Sequence, residues 1–394
     1  MGSGPDLRHH RRPPCRHPAE FQREGDHRKR TAVGEPLKVG IVGLGTISAQ
    51  YLGTLDRLGS VALVAVADLN PELGAGVADR RIGVRACSVG ELLAADDIDL
   101  VLNLTIPAAH ADIALQAISA GKSVYGEKPL ALNTLQGREI LGAASAAGVM
   151  IGCAPDTVLG TGIQTARKVI DDDLIGRPIA ATATMVTPGH ERWHPHPDFY
   201  YQPGGGPLLD MGPYYLSALV TLLGPVTHVV GASSRTRATR TIGSGPRRGE
   251  VVPVDTDTHI TGVLTHAGGA LSTVVMSFDA VATRSANIEI HGESGSLIVP
   301  DPNHFEGDVQ IRTLGSTSWT TVPVSAGYLD ASRGIGIADL ASTPDGGSPR
   351  AGGALAYHVL DVMESLLRSA QTGRANPVGS TVDRPTAVPL QGMS

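Results

Sequence analysis

The chain has 394 residues, long enough for two domains, and its 41% hydrophobic and 18% charged residues are the proportions of an ordinary globular protein. A formal net charge of -6 with no basic stripe in the body argues against nucleic acid as the main partner, and the longest apolar run, seven residues, is too short to span a membrane. Cys15, Cys87 and Cys153 have neither metal-ligand spacing nor an even disulfide framework, which points to a reducing, cytoplasmic compartment.

Residues 1–36 differ in kind from the rest. They are rich in Arg, His and Pro, carry no apolar periodicity, and read as a disordered basic extension. They lack the apolar core of a secretory signal, and the acids among them speak against an organelle transit peptide. His9 and His10 alone make no metal site.

The ordered chain begins at Leu37. Leu37 to Val42 is a short apolar run that ends in Gly43-Leu44-Gly45-Thr46-Ile47-Ser48, a buried strand entering a tight turn. Gly43 and Gly45 allow the backbone to approach a pyrophosphate, and Thr46 and Ile47 open a helix to about Leu58 whose unpaired amides face the anion. Ser48 stands where the usual fingerprint has a third glycine; it is small enough for close helix packing. The next strand, Val61 to Ala67, ends in Asp68, about twenty residues on, where a carboxylate can accept the ribose hydroxyls of an adenosine. The competing reading of Asp68 is a cap on the turn at Asn70-Pro71. An acid here repels a ribose 2'-phosphate and no arginine follows at once, which favours NAD over NADP without excluding NADP.

A third buried strand, Asp99 to Thr105, closes at Thr105-Ile106-Pro107, and His110 opens a helix of residues 111–120. Lys122 to Gly126 then reads as a strand that delivers Glu127-Lys128-Pro129 to the carboxyl edge of the sheet, where open parallel sheets bind ligands. Thr105, Pro107, His110, Glu127 and Lys128 thereby join the cofactor candidates, with Lys128 about where a nicotinamide ring would lie.

The alternation of strand and helix stops after Cys153, so residues 37–155 are read as one domain and 156–394 as another. Thr161 to Asp173 is an amphipathic helix, followed by strand-like segments near 178–187, 226–235, 258–266, 270–279, 286–292, 296–300, 308–313 and 318–324. Such a run of strands predicts a separate, mostly antiparallel sheet, one face for helices and the other free to pair with a second copy into a homodimer or homotetramer. Segments 236–250 and 326–353 read as loops, and 354–371 as a closing helix.

Between them lies a dense constellation, Gly189-His190-Glu191-Arg192-Trp193-His194-Pro195-His196 through Tyr200-Tyr201, running into Gly204-Gly205-Gly206 and Asp210. In a chain with 4% aromatics, this clustering predicts a wall for a polar substrate with apolar faces, such as a sugar, with Glu191, Trp193, His194 and Tyr200 lining it. Prolines at 195 and 197 leave no regular metal-ligand spacing, so no metal is expected. Pro213 suits the first turn of a helix through Leu222, with Asp210 near its start; if the helix holds both, Asp210 and Tyr214 share a face.

The glycine motif, Glu127-Lys128-Pro129, and Gly204-Gly205-Gly206 leading to Asp210 resemble the Gfo/Idh/MocA family of nicotinamide-dependent sugar and polyol oxidoreductases, over residues 37–385. The resemblance implies an α/β fold, an N-terminal Rossmann domain followed by an α+β domain with a large, mostly antiparallel open sheet. It also implies a site between them in which Lys128 and Asp210 flank the reacting carbon. Many family members carry histidine four residues after this aspartate; here Tyr214 stands there. A phenol titrating near 10 needs a neighbouring cation to act as a base, and Lys128 is the expected one. His194 is the second candidate to carry the proton.

The expected reaction is hydride transfer from a secondary hydroxyl of a sugar, glycoside or cyclic polyol to NAD, with Lys128, Asp210 and Tyr214 as catalytic residues. Two rivals remain open: a hydrolase or lyase that borrows and returns the hydride, and a non-enzymatic nucleotide and sugar sensor. The sequence does not set the direction of the reaction.

Overall fold

The computed structural model describes residues 1–2, 35–344 and 346–393. The extension expected over 1–36, with His9, His10 and Cys15, lies almost wholly outside the described residues.

Strand and helix alternate from Leu37 onward as β1 (Leu37–Val42), α1 (Ser48–Leu55), β2 (Val61–Ala67), α2 (Pro71–Ala78), β3 (Arg85–Ala86) and α3 (Val89–Ala94). They continue as β4 (Leu100–Asn103), α4 (His110–Ser119), β5 (Ser123–Gly126), α5 (Thr134–Ala147) and β6 (Ile151–Cys153). The six strands form one sheet in the order β3-β2-β1-β4-β5-β6, with every pairing parallel. Strands this apolar are wetted on neither face: Val39, Ile41, Leu100, Val101 and Leu102 are all fully buried. The order reverses between β1 and β4, which puts the loops after both strands beside one crevice.

The second part holds α6 (Thr161–Asp171), β7 (Pro178–Val186), α7 (Pro207–Leu223), β8 (Val226–Ser234), β9 (Thr239–Thr241), β10 (Val251–Pro253), β11 (His259–His266) and β12 (Leu271–Ser277). Then come β13 (Ile288–Gly292), β14 (Gly295–Val299), β15 (Val309–Thr313), β16 (Thr320–Val322), α8 (Ile335–Ala341), α9 (Gly353–Thr372) and β17 (Asn376–Pro377). Nine of these strands make a sheet in the order β16-β15-β14-β13-β7-β12-β11-β8-β17. Its pairings are antiparallel except for β7 with β12. Helix α7 packs on β11 and β12, and α9 packs on β8, on α7 and back onto α5 and β6. On the opposite face Val230 and Val263, paired across β8 and β11, stand exposed. Among the described residues no helix is long and apolar enough to cross a membrane.

Three segments depart from the sequence reading. Residues 236–250, expected as a loop, contain β9, which pairs with β10 as a separate hairpin. Residues 326–353, also expected as a loop, contain α8, a helix too short for its periodicity to register. The helix expected to start at Pro213 begins six residues earlier. Gly206, at φ 91°, makes the turn and Pro207 takes the first helical position, so Pro213 lies inside α7.

Asp156 ties α8 to the parallel sheet. This fully buried carboxylate accepts the amides of Gly334 (2.7 Å) and Gly336 (3.0 Å) through Oδ2, while its Oδ1 and the Tyr125 hydroxyl have no partner. Burial lifts its carboxyl from an ordinary 3.8 to about 6, against the pull of those two hydrogen bonds. Between these values the folded chain holds a proton that the unfolded chain has released, so stability is lost as pH rises through the window. Asp156→Asn keeps an acceptor for the two amides and carries no charge. Its melting temperature is expected to vary less than that of the wild type between about pH 4 and about pH 6, and equal slopes would refute this account.

Candidate active site

The glycine turn is built as its residues dictate. Gly43 has φ 95°, and a Cβ there would lie 2.8 Å from the carbonyl carbon and oxygen of Leu104, so no larger residue fits between β1 and β4. A Cβ on Gly45 would meet nothing within 4 Å, so the turn is open on that side. Ser48 closes the turn by donating from Oγ to the Gly45 carbonyl (2.7 Å). Asp68 receives the Leu44 amide on Oδ2 (2.7 Å) and the Asn70 amide on Oδ1 (2.8 Å). Both sequence readings of Asp68 are therefore compatible: the carboxylate caps the turn and still has lone pairs for ribose hydroxyls.

Across the crevice, Thr105 donates from Oγ1 to Asn103 Oδ1 (2.6 Å), and Pro107 starts a single tight turn, Pro107–Ala109, behind the exposed Ile106. His110 departs from expectation. It is buried, with Nδ1 2.7 Å from the Pro129 carbonyl and Nε2 3.0 Å from the Thr105 carbonyl, so both ring nitrogens brace the backbone and neither is free for a cofactor. Glu127 is also occupied: Oε1 receives the buried Tyr51 hydroxyl (2.8 Å) and Oε2 the Lys128 amide (3.0 Å). These bonds fix the end of β5, where Lys128 begins.

Lys128 reaches across to α7. Its Nζ donates to Asp210 Oδ1 and to the Asp210 backbone carbonyl, both at 2.8 Å. The other carboxylate oxygen, Oδ2, lies 3.1 Å from His190 Nε2. Burial would raise the Asp210 carboxyl, but the Lys128 charge and the bonds from His190 and Lys128 hold it down at about 2. Lys128 shows the complementary effect: burial favours losing the proton, yet the adjacent Asp210 raises the ammonium well above its ordinary value. The pair is thus a locked ammonium and carboxylate.

Tyr214 does lie one turn beyond Asp210 on α7, with Lys128 Nζ 5.5 Å and Arg333 Cζ 5.3 Å from its ring centroid. Burial raises the phenol, and the opposing pull of Lys128 and Arg333 does not reverse it.

The loop after β7 carries the residues expected to form a wall. His190 sits among Phe278, Tyr200 and Trp193, with ring centroids 4.4, 4.7 and 5.2 Å away, and its Nδ1 has no partner. Tyr200 also contacts His194 and Phe199, and burial pushes its phenol up to about 12. Trp193 is 58% exposed, open to a ligand. His194 accepts the His196 amide on Nδ1, and burial lowers its imidazole below the ordinary range. Asp210 meets His190, not His194, so the reserve histidine of the sequence reading is displaced by its neighbour four residues upstream. Glu191 is a second correction. It is buried, with its carboxylate bonded by the Tyr201 hydroxyl and by Arg240, so it braces the loop from behind and is out of a substrate's reach. Among the described residues no group of three His, Cys, Asp or Glu is placed to hold a metal ion.

Sequence reasoning missed His190, Tyr51 and Arg333 as parts of this constellation. His190 stood inside the noted cluster, but three histidines in eight residues gave no means of choosing. Tyr51 and Arg333 carry no local signal at all, because only the packing of α1 and of the 328–334 loop brings them here.

Residues 37–154 match the oxidoreductase family with an NAD-binding Rossmann fold, and residues 163–298 match the GFO/IDH/MocA C-terminal domain. The chain is 31% identical over 266 residues to a 1,5-anhydro-D-fructose reductase of Ensifer adhaerens, covering 66% of this chain and 74% of that one. It is 34% identical over 149 residues to an inositol 2-dehydrogenase of Pseudomonas savastanoi pv. phaseolicola, covering 36% of this chain and 44% of the relative. Among solved structures, a levoglucosan dehydrogenase in complex with NADH superposes with a TM-score of 0.73 at 23% identity, over 88% of this chain and all of the other. Together with the parallel sheet, its glycine turn and the mostly antiparallel second sheet, these matches establish that the chain is an NAD-binding oxidoreductase of the Gfo/Idh/MocA family.

Proposed function

We propose that the chain moves a hydride between NAD and a carbon bearing a secondary hydroxyl on a sugar, glycoside or cyclic polyol, in the cleft where Lys128 meets Asp210. The observation that carries this reading is the position of Lys128 Nζ: it leaves the carboxyl end of β5 in the nucleotide-binding sheet and bonds Asp210 on the helix that covers the other sheet. The relatives named for 1,5-anhydro-D-fructose and inositol support the substrate class. The residues fit the cofactor: the Gly43 to Gly45 turn leaves open space for a pyrophosphate, and Asp68 lies beside it. NAD supplies a hydride acceptor when bound.

Lys128, held as an ammonium, donates to the substrate oxygen and favours the negative charge that grows there as the C–H bond breaks. Asp210, held ionised, accepts a hydrogen bond from the substrate and orients it. The hydroxyl proton ends on His190 Nδ1, the ring nitrogen without a partner among the described residues, while Nε2–H stays on Asp210: Lys128 is already protonated and burial favours the protonated form of Tyr214. Tyr214 then serves as a packed floor between Lys128 and Arg333. Trp193, Tyr200 and His194 provide the apolar faces that a ring with axial C–H bonds can stack upon. The free thiols Cys87 and Cys153 suit a cytoplasmic location, and the face bearing Val230 and Val263 suits pairing of two copies.

Purified Lys128→Ala, assayed for NAD reduction over a panel of sugars and inositols, is expected to lose at least about 10³-fold in kcat/KM, on the scale of a lost charge-stabilising donor. Full turnover on the preferred substrate would sink the assignment. His190→Gln keeps an N–H for Asp210 but cannot take a proton, so it is expected to be as slow as His190→Ala, by about 10²- to 10⁴-fold. A Gln variant close to wild type would move the proton elsewhere. Asp68→Asn retains an acceptor for the turn and removes the charge that opposes a 2'-phosphate. The ratio of KM values for NADP and NAD should fall by about tenfold or more, equal to 1.4 kcal/mol, and an unchanged ratio would remove Asp68 from cofactor choice.

A further inference from the structure

The β9–β10 hairpin is strapped across the wall loop. The Gly243 amide donates to the Glu191 carbonyl (2.7 Å), Ser244 Oγ to the Trp193 carbonyl (2.7 Å), and Asp255 N to the Tyr201 carbonyl (2.7 Å). Arg247 adds a two-pronged contact to Asp198 at 2.6 and 3.1 Å. Between hairpin and loop lies an open polar groove of about 430 Å³, lined by Glu191, Arg192, Arg237, Thr239, Arg240 and Thr241. That volume is in the range of small-molecule sites.

The charge of this groove runs against the rest of the chain. Residues 235–249 hold five arginines, at 235, 237, 240, 247 and 248, and no acid, in a protein of net charge -6. Arg247 is matched by Asp198 and Glu250, and Arg240 by Glu191 and Asp279. Arg192 and Arg237 pair with no carboxylate among the described residues, and both line the groove. Glu191, the acid among the lining residues, is consumed by Arg240 and the Tyr201 hydroxyl.

Arg240 carries the second observation. Its side chain is 1% exposed, its two terminal nitrogens are taken by Glu191, the Pro188 carbonyl and Asp279, and its Nε–H has no acceptor among the described residues. A buried donor left unmade costs about 1–3 kcal/mol. The groove therefore offers two guanidinium groups that no described carboxylate neutralises, those of Arg192 and Arg237, and two threonines, backed by the buried guanidinium of Arg240.

We propose that this groove binds a phosphate group. Guanidinium groups match phosphate oxygens in pairs of parallel hydrogen bonds, and threonine hydroxyls add neutral donors. None of the lining residues bonds Lys128 or Asp210, so the seat is distinct from the hydride cleft, although the turn His190–Arg192 presents His190 to the cleft and Glu191 and Arg192 to the groove. The ligand is either free inorganic phosphate or the phosphate of a phosphorylated sugar.

The test uses the full chain with saturating NAD, so that the pyrophosphate seat at Gly43 is filled, and reads binding calorimetrically without turnover; it is thus independent of the hydride assignment. Sodium phosphate, titrated against sodium chloride at equal ionic strength, is expected to bind saturably at one site per chain. The Arg192→Gln/Arg237→Gln protein should bind it at least about tenfold more weakly, with its melting temperature in chloride verifying the fold. Arg237→Gln alone, in the exposed loop between β8 and β9, covers the case in which the double variant does not fold. A hexose 6-phosphate that binds about tenfold tighter than phosphate identifies a phosphorylated sugar as the ligand, and equal affinity identifies free phosphate. No saturable binding beyond chloride, or equal affinity in wild type and variants, overturns the proposal.

Discussion

The ammonium of Lys128 and the carboxylate of Asp210, 2.8 Å apart and only 18% and 16% exposed, join the two sheets at the one place where chemistry is proposed. Removing two charges from water is costly, and mutual attraction offsets that cost only with close geometry and further hydrogen bonds. Both conditions are met here: Lys128 has a second acceptor in the Asp210 carbonyl, and Asp210 a second partner in His190. Breaking either side leaves an unpaired buried charge, so the position of α7 against β5 is tightly constrained.

Much of the surrounding structure serves to hold that pair in register. Tyr51 on α1 fixes Glu127, whose carboxylate fixes the Lys128 amide. His110 ties the end of β4 to Pro129. Asp156 gathers the Gly334 and Gly336 amides, while Thr54 Oγ1 and Ser332 Oγ meet at 2.6 Å, and together these anchor the loop that sets Arg333 against Tyr214. The same helix that follows the glycine turn thus also positions the loop bearing Arg333, and the proposed nucleotide seat and substrate cleft share one set of braces.

The wall is a second rigid unit with its own ion network. Arg240 lies over the Tyr201 ring at 5.3 Å and holds Glu191 and Asp279, and Phe278, next to Asp279, packs on His190. Burial of this network orients the His190–Arg192 turn from behind. One turn then faces two environments, an aromatic pocket beside Asp210 and a polar groove beneath the hairpin.

Features written in local pattern were legible before any coordinates. The apolar run into Gly43, the strand ending in Asp68, and the strand delivering Lys128 each depend on contiguous residues, and so did the strands of the second sheet. That Asp210 and Tyr214 share a face follows from their spacing of four once the helix holds both, which its earlier start at Pro207 ensures. What contiguous residues do not record is which side chains meet across the fold. Three histidines in one loop were equivalent on paper; only the seating of the loop against α7 chose His190. Glu191 read as a free acid until Arg240, from a hairpin not foreseen, took its carboxylate. Tyr214 read as a base tuned by Lys128, but its burial, a property of the assembled core, outweighs that charge. The sequence by itself determined the fold, the cofactor turn and the lysine at its edge, because these rest on backbone geometry and periodicity. Tertiary structure alone decided the partners and protonation of the site, because those depend on burial and on contacts between residues far apart in the chain.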